Sequence, residues 1–251
     1  MPDDLAEEKY RVLEVCGCDV VKVKPLAYMD KGNFVRLAGI KAKEEGGFFA
    51  DQFDNLDNYK GHYADTGPEI WQQMDGNIDI YVNASGTGAT TAGVSKFLKE
   101  QDDSILTILG DPQGSSFYAK VVHDTLFTME DKEGHKERHP FRTIVEGVGQ
   151  NRLTKNFMCG KIDDAFQVTD QECLHMAYFL IDNEGLFLGT STALNLVTCV
   201  KAARKYTNFL KQKKSKGRIV ICTQGCDQGL VYLSKFYSQK YLSSKGIQFQ
   251  K

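Results

Sequence analysis

The residues best placed to do chemistry are Ser85-Gly86-Thr87-Gly88-Ala89-Thr90-Thr91, which follow the apolar run Ile78-Asp79-Ile80-Tyr81-Val82 and precede a helical segment from Ala92 to Glu100. A strand that ends in small residues and opens into a helix presents unpaired backbone N–H groups at the positive end of the helix, and glycine lets them approach an anion with no Cβ in the way. The chemistry this predicts is the holding of a phosphorylated cofactor. Taken alone, the same residues also suit a structural tight turn, so the rest of the chain has to decide.

The elements around this turn follow from hydrophobic period and punctuation. Glu7 to Cys16 reads as an amphipathic helix, Asp19 to Val23 as a strand stopped by Lys24-Pro25, Gly32 to Glu45 as a helix, and Gly47 to Gln52 as a strand. The polar stretch Phe53 to Asp65 reads as a connection between domains. Thr66-Gly67-Pro68-Glu69 has the form of a capping box with proline in the first turn of a helix reaching Gln73. The Ile78 strand, the small-residue turn, the helix from Ala92 and a strand from Ile105 to Leu109 make a βαβ unit. The charged segment Met129 to Arg142 is expected to be a surface excursion. A strand from Ala165 to Val168, helices from Asp170 to Asn183 and from Thr192 to Arg204, and a strand from Arg218 to Cys222 complete the pattern. The class is α/β with a mainly parallel sheet, whose sites belong at the carboxyl ends of its strands.

Composition narrows the field. The chain has 251 residues, 41% of them apolar, with 31 basic against 33 acidic side chains. That balance gives no electrostatic reason to bind nucleic acid or an anionic membrane. No apolar run approaches the roughly 18 residues of a membrane helix, and the first residues are acidic rather than signal-like. The basic run Lys211 to Arg218 is expected to be a solvated loop. Seven cysteines, of which Cys159, Cys173 and Cys199 fall in apparent core segments and Cys16, Cys18, Cys222 and Cys226 near strand ends, suit a reducing compartment, and their spacings match no zinc or redox motif. The five histidines form no metal array and are expected to face solvent or lie in loops.

Two cofactor readings compete. Gly86 and Gly88 after a strand, with Asp111 at the end of the next, partly satisfy the dinucleotide fingerprint, but Thr91 stands where its third glycine should be. The other reading comes from a whole-chain resemblance. Met1-Pro2 and the helix after it, Asp51-Gln52-Phe53-Asp54-Asn55 with His62 and Thr66-Gly67-Pro68-Glu69-Ile70, Ser85 to Gly93, Glu146-Gly147-Val148-Gly149, and Glu184 to Ala193 resemble, in order, five motifs of the cysteine synthase and cystathionine β-synthase family. Asp111 to Ser115, Asn151 to Thr154 and Leu233 to Phe236 further resemble its fungal mitochondrial branch.

The resemblance implies a three-layer αβα fold of the tryptophan synthase β type (fold type II) that uses pyridoxal 5′-phosphate and performs β-replacement on O-acetylserine or serine with a sulfur nucleophile. It assigns Gly86, Thr87, Gly88, Ala89 and Thr90 to the cofactor phosphate, Ser191 to the pyridine nitrogen, Gly147 to the cofactor ring and Gln52 to the substrate carboxylate, with no metal. It implies residues 1–54 as the remainder of a smaller α/β domain and 55–251 as the cofactor-binding domain without its first strands, a mitochondrial location with a cytoplasmic one as the alternative, and a homodimer or pairing with a full-length relative. Taken without its neighbours, Ser191 would read as a helix N-cap.

Departures from the family pattern carry expectations too. Ala89 and Ala193 stand where the family has glycine, and Gln228 to Tyr232 lack its arginine. The P-S-x-S-x-K-D-R segment with the Schiff-base lysine, and the T-S-G-N-T-G loop that grips substrate, have no counterpart, so the chain reads as N-terminally incomplete and inactive alone. A catalytically dead binding partner of a full-length relative is the second reading, and a nucleotide-binding Rossmann-like protein the third.

Overall fold

In the computed structural model of the chain the described residues are 1–126, 143–213 and 217–249. Among them, strands β1 (Ile80–Ala84), β2 (Leu106–Pro112), β3 (Asp164–Val168) and β4 (Ile221–Cys222) form one parallel sheet in the order β3-β2-β1-β4. The helices are α1 (Glu7–Val15), α2 (Phe34–Glu45), α3 (Asp57–Gly61), α4 (Gly67–Gln73), α5 (Ala89–Gln101), α6 (Phe117–His123), α7 (Lys155–Met158), α8 (Asp170–Phe179), α9 (Thr190–Lys213) and α10 (Gln239–Ser244).

Strand alternation explains the three layers. Tyr81 and Ile105 face α5 through Val94 and Leu98, whereas Ile80, Val82 and Ile108 face α9 through Ala202 and Leu210. Leu109 packs under Phe117 and Phe157, whose rings stack at 3.9 Å between centroids. A parallel sheet covered on both faces needs apolar side chains on both, and β1 is buried along its whole length. Outside α9 lies α8, opened by a capping box in which Thr169 and Glu172 satisfy each other's backbone N–H groups.

The first 54 residues depart from the sequence expectation. Asp19 to Val23 and Gly47 to Gln52 are not strands: backbone pairing is limited to an isolated bridge between Pro2 and Val23, and Val21 and Phe48 are exposed. An apolar run becomes a strand only when an edge is there to pair with it, and none of the described residues supplies one. The helix expected from Gly32 starts at Phe34 because the Asn33 side chain caps it, accepting from Val35 N at 3.0 Å. Residues 26 to 54 are tied to the rest by Arg152, which pairs with Asp54 at 3.1 Å and lies 3.9 Å from the centre of the Tyr28 ring. Helix α1 instead docks on the 3-10 turn Gly229–Tyr232.

Three further expectations are corrected. The stretch Phe53 to Asp65 is largely helical, with α3 running into a π-helical turn His62–Thr66 and then α4. Thr66 therefore sits in helical backbone, makes no side-chain cap, and bonds His62 instead. The basic run from Lys211 also begins inside α9, which extends to Lys213. The segment Met129 to Arg142 lies outside the described residues.

Candidate functional site

The small-residue turn has the geometry of an anion cradle. Gly88 adopts φ +88° at the N-terminus of α5, and the N–H groups of Gly86, Thr87 and Gly88 find no backbone acceptor among the described residues. Those of Thr90 and Thr91 lie in the first turn of a thirteen-residue helix, where no intrahelical acceptor exists. The Thr87 side chain accepts from Ala89 N at 3.2 Å, which bends the turn inward.

Several elements hold the cradle from behind. Thr154 donates its hydroxyl to Thr87 O at 2.6 Å and accepts from Phe157 N at 3.0 Å, so one side chain caps α7 and clamps the loop. A Cβ on Gly88 would fall 2.5 Å from the Phe157 backbone. Ser85 O accepts from Gly149 N at 2.7 Å, and a Cβ on Gly86 would sit 2.2 Å from Gly147 O. The cradle and the Glu146–Gly149 segment are thus in backbone contact. Gly147 itself has φ +85° with nothing within 4 Å of its missing Cβ, an open face for a planar ring.

Ser191 is brought to the same place. Thr190 exchanges hydrogen bonds with Glu146 N (3.3 Å) and O (3.4 Å), and Asn195, one turn along α9, accepts from Ala84 N at 2.7 Å. Ser191 lies in the first turn of α9 rather than at its N-cap, and its hydroxyl bonds none of the described residues. Gln52 joins through its backbone. Its carbonyl accepts from Asn58 Nδ2 at 2.7 Å and from Asn156 Nδ2 at 3.2 Å, while its side chain is exposed. The Ala89 methyl, which stands where the family has glycine, is enclosed by protein and does not project from the turn.

Several residues that serve this site give no local signal in the sequence. Asn156, fully buried, donates also to Phe53 O at 2.7 Å and accepts from Tyr59 N at 3.2 Å, so it locks Gln52 and α3 onto α7. Asn156→Asp would set buried carboxylate oxygens against two carbonyls; we expect a loss of about 2 kcal/mol in urea unfolding, from the 2.7 Å bond to Phe53 O lost and an unpaired oxygen buried in its place. Glu146, also buried, takes Lys9 at 2.7 Å, Lys235 at 2.6 Å and Ala6 N at 3.2 Å. The expectation of solvent-facing histidines fails at His62, which is half-buried between Thr66 and Thr90, and burial lowers its pKa. His135 and His139 lie outside the described residues.

The nucleotide fingerprint loses its acidic partner. Asp111 is fully buried and accepts from Tyr118 N at 2.7 Å, capping α6, so it is out of reach of a ribose. Thr91 is likewise buried, bonded to Asn83 and Ala84 O. Among the described residues no three His, Cys, Asp or Glu side chains gather as a metal site requires, and no helix is long and apolar enough to cross a membrane.

A parallel, three-layer sheet with an anion cradle after one strand, an open glycine face after another segment and a free helix-start hydroxyl defines an α/β protein built for a phosphorylated, ring-bearing cofactor. Residues 1–225 match the profile of the pyridoxal-phosphate dependent enzymes, and the chain belongs to that family. It is 40% identical over 98% of its length to cysteine synthase 2 of Schizosaccharomyces pombe, and 41% identical over 95% to a Saccharomyces cerevisiae protein whose name describes a mitochondrial cysteine synthase. It spans 63% and 61% of those relatives. The fold is that of the O-acetylserine dependent cystathionine β-synthase from Helicobacter pylori, with a TM-score of 0.74 over 94% of this chain and 68% of that one at 24% identity.

Proposed function

We propose that this chain is the cofactor-cradling part of a pyridoxal 5′-phosphate enzyme of cysteine biosynthesis, acting by β-replacement on O-acetylserine or serine with a sulfur donor. The observation that carries the reading is the backbone contact of the cradle with Gly147, together with the Glu146–Thr190 bonds that bring Ser191 alongside. The S. pombe and S. cerevisiae relatives support the substrate class, and the latter's name supports a mitochondrial location.

In this reading Gly86, Thr87, Gly88, Ala89 and Thr90 hold the phosphate through two hydroxyls and the backbone N–H groups of the turn, with the Ala89 N–H shared with Thr87 Oγ1. Ser191 offers a neutral hydroxyl to the pyridine nitrogen, which leaves that nitrogen without a strong proton donor. Gly147 gives the ring a face with no side chain, and Gln52 serves the substrate carboxylate. Bound there, the cofactor supplies an electron sink for the bond broken at the substrate Cα. The cradle's own part would be to anchor the phosphate end of the cofactor within reach of Gly147 and Ser191.

The chain's lysines do not stand in the family's P-S-x-S-x-K-D-R context, and Lys9 and Lys235, which do reach the Glu146 segment, are committed to Glu146. We therefore expect pyridoxal 5′-phosphate to bind noncovalently and the isolated chain not to turn over. Exposed Val15, Met29 and Phe48 favour association with a second copy or a full-length relative.

Titration of the purified chain with pyridoxal 5′-phosphate and with pyridoxal, followed by borohydride and intact-mass measurement, tests this. The expected result is tighter binding of the phosphorylated form with no mass adduct, and light scattering above 28.1 kDa. Equal affinity for the two compounds would remove the cradle from the reading.

A further inference from the structure

His62 lies where it can decide which way the Thr90 hydroxyl points. Its Nδ1 is 2.9 Å from Thr66 Oγ1 and its Nε2 3.1 Å from Thr90 Oγ1, so the ring bridges the π-helical turn and the start of α5. The close approach is permitted by Gly93, one turn beyond Thr90. A Cβ there would lie 2.5 Å from Tyr59 O, 2.6 Å from Tyr63 N and 2.7 Å from His62 Cβ. The last glycine of the matched motif therefore lets the histidine reach the cradle.

A neutral imidazole donates from one nitrogen and accepts at the other, and a hydroxyl has a single hydrogen. Two arrangements of the Thr66–His62–Thr90 chain are possible. With the hydrogen on Nδ1, His62 donates to Thr66 and Thr90 must spend its hydroxyl hydrogen on Nε2, leaving none for an anion. With the hydrogen on Nε2, Thr66 donates to Nδ1, His62 donates to Thr90 Oγ1, and the Thr90 hydrogen is left for a phosphate oxygen. Only the second arrangement leaves the Thr90 hydrogen for an anion that fills the cradle. Burial, which disfavours the charged ring, keeps His62 in the neutral form for which this choice exists.

We propose that His62 is a positioning residue of the cradle, holding the Thr90 hydroxyl in the polarity that donates to a phosphate monoester, with Thr66 fixing the tautomer from the far side of the ring. This rests on the cradle reading above. It assigns His62 no part in the bond changes of the reaction.

The test compares dissociation constants for pyridoxal 5′-phosphate and pyridoxal in the full chain, its His62→Leu, His62→Gln and Thr66→Val variants, with nitrogen NMR of the His62 ring as inorganic phosphate is added. His62→Leu should weaken pyridoxal 5′-phosphate about tenfold, the worth of one hydrogen bond to a charged acceptor, and leave pyridoxal unchanged. His62→Gln, whose amide can still donate to Thr90, should recover most of the loss, and Thr66→Val should lose part of it. The ring should carry its hydrogen on Nε2 once phosphate is present. Equal weakening of both compounds by His62→Leu, or a hydrogen on Nδ1 in the phosphate-bound protein, would overturn the proposal while leaving the cradle intact. Absence of any preference for the phosphorylated compound in the parent chain would overturn both.

Discussion

Gly86→Ala should cost the chain its affinity for pyridoxal 5′-phosphate, by about a hundredfold. The new methyl would lie 2.2 Å from Gly147 O, and both sides of the contact are backbone, so no side chain can swing away. Relief requires the cradle and the Gly147 segment to separate, against the 2.7 Å bond from Gly149 N to Ser85 O and the Thr154 clamp on Thr87. Overpacking of this kind costs about 3 kcal/mol at the upper end of the usual range, which converts to that hundredfold if it falls on the bound state. Gly147→Ala is the informative comparison. In the unliganded chain the penalty there is the left-handed backbone alone, about 1 kcal/mol, because nothing lies within 4 Å. Thermal melting of both variants without cofactor decides it, and equal behaviour would mean that the two segments are not locked together.

Asp111→Asn should stabilise the protein above neutral pH. Asp111 Oδ2 accepts from Tyr118 N, but Oδ1 has no partner among the described residues. The register pairing Ala84 with Gly110 puts Ser85, just past the end of β1, beside Asp111, and Ser116 precedes the helix it caps. The hydroxyls of both serines are also buried without a partner. No charged group among the described residues compensates, and burial pushes the carboxyl up to about 7. Because the folded protein holds a proton that the unfolded chain releases near pH 3.9, stability is full below that value. It falls as pH rises towards 7 and is level above. The whole change is about 4 kcal/mol. Asparagine keeps the acceptor for Tyr118 N and stays neutral. Urea unfolding should therefore find the variant equal to the parent near pH 4 and more stable by a few kcal/mol near pH 8. Parallel pH profiles would mean that the carboxylate stays ionised in the fold.

The parallel three-layer class and the cradle were legible in the sequence because their signals are local. The apolar run at Ile80, the small residues after it and the α5 pattern sit side by side, and the ordered motifs extended that reading to Gly147 and Ser191. What was not legible depends on distant partners. Asp19 to Val23 has the composition of a strand but no edge to pair with. Phe53 to Asp65 has the composition of a loop, yet is largely helical, and its start is held by Asn156, about 100 positions away, through Phe53 O and Tyr59 N. Thr66 has the sequence of a cap, but the helix is already under way and the hydroxyl meets His62.

The carboxylate of Glu146 gathers Lys9 from 137 positions upstream and Lys235 from 89 downstream, with Glu8 and Ser234 joined beside it at 2.7 Å. Contacts of such sequence separation are the slowest to close, since the chain between them must first be ordered. During synthesis the ion pairs that complete the hold on the segment carrying Gly147 can close only after Lys235 has emerged. The cradle's own contacts, Gly149 to Ser85 and Thr154 to Thr87, span fewer positions and can close earlier.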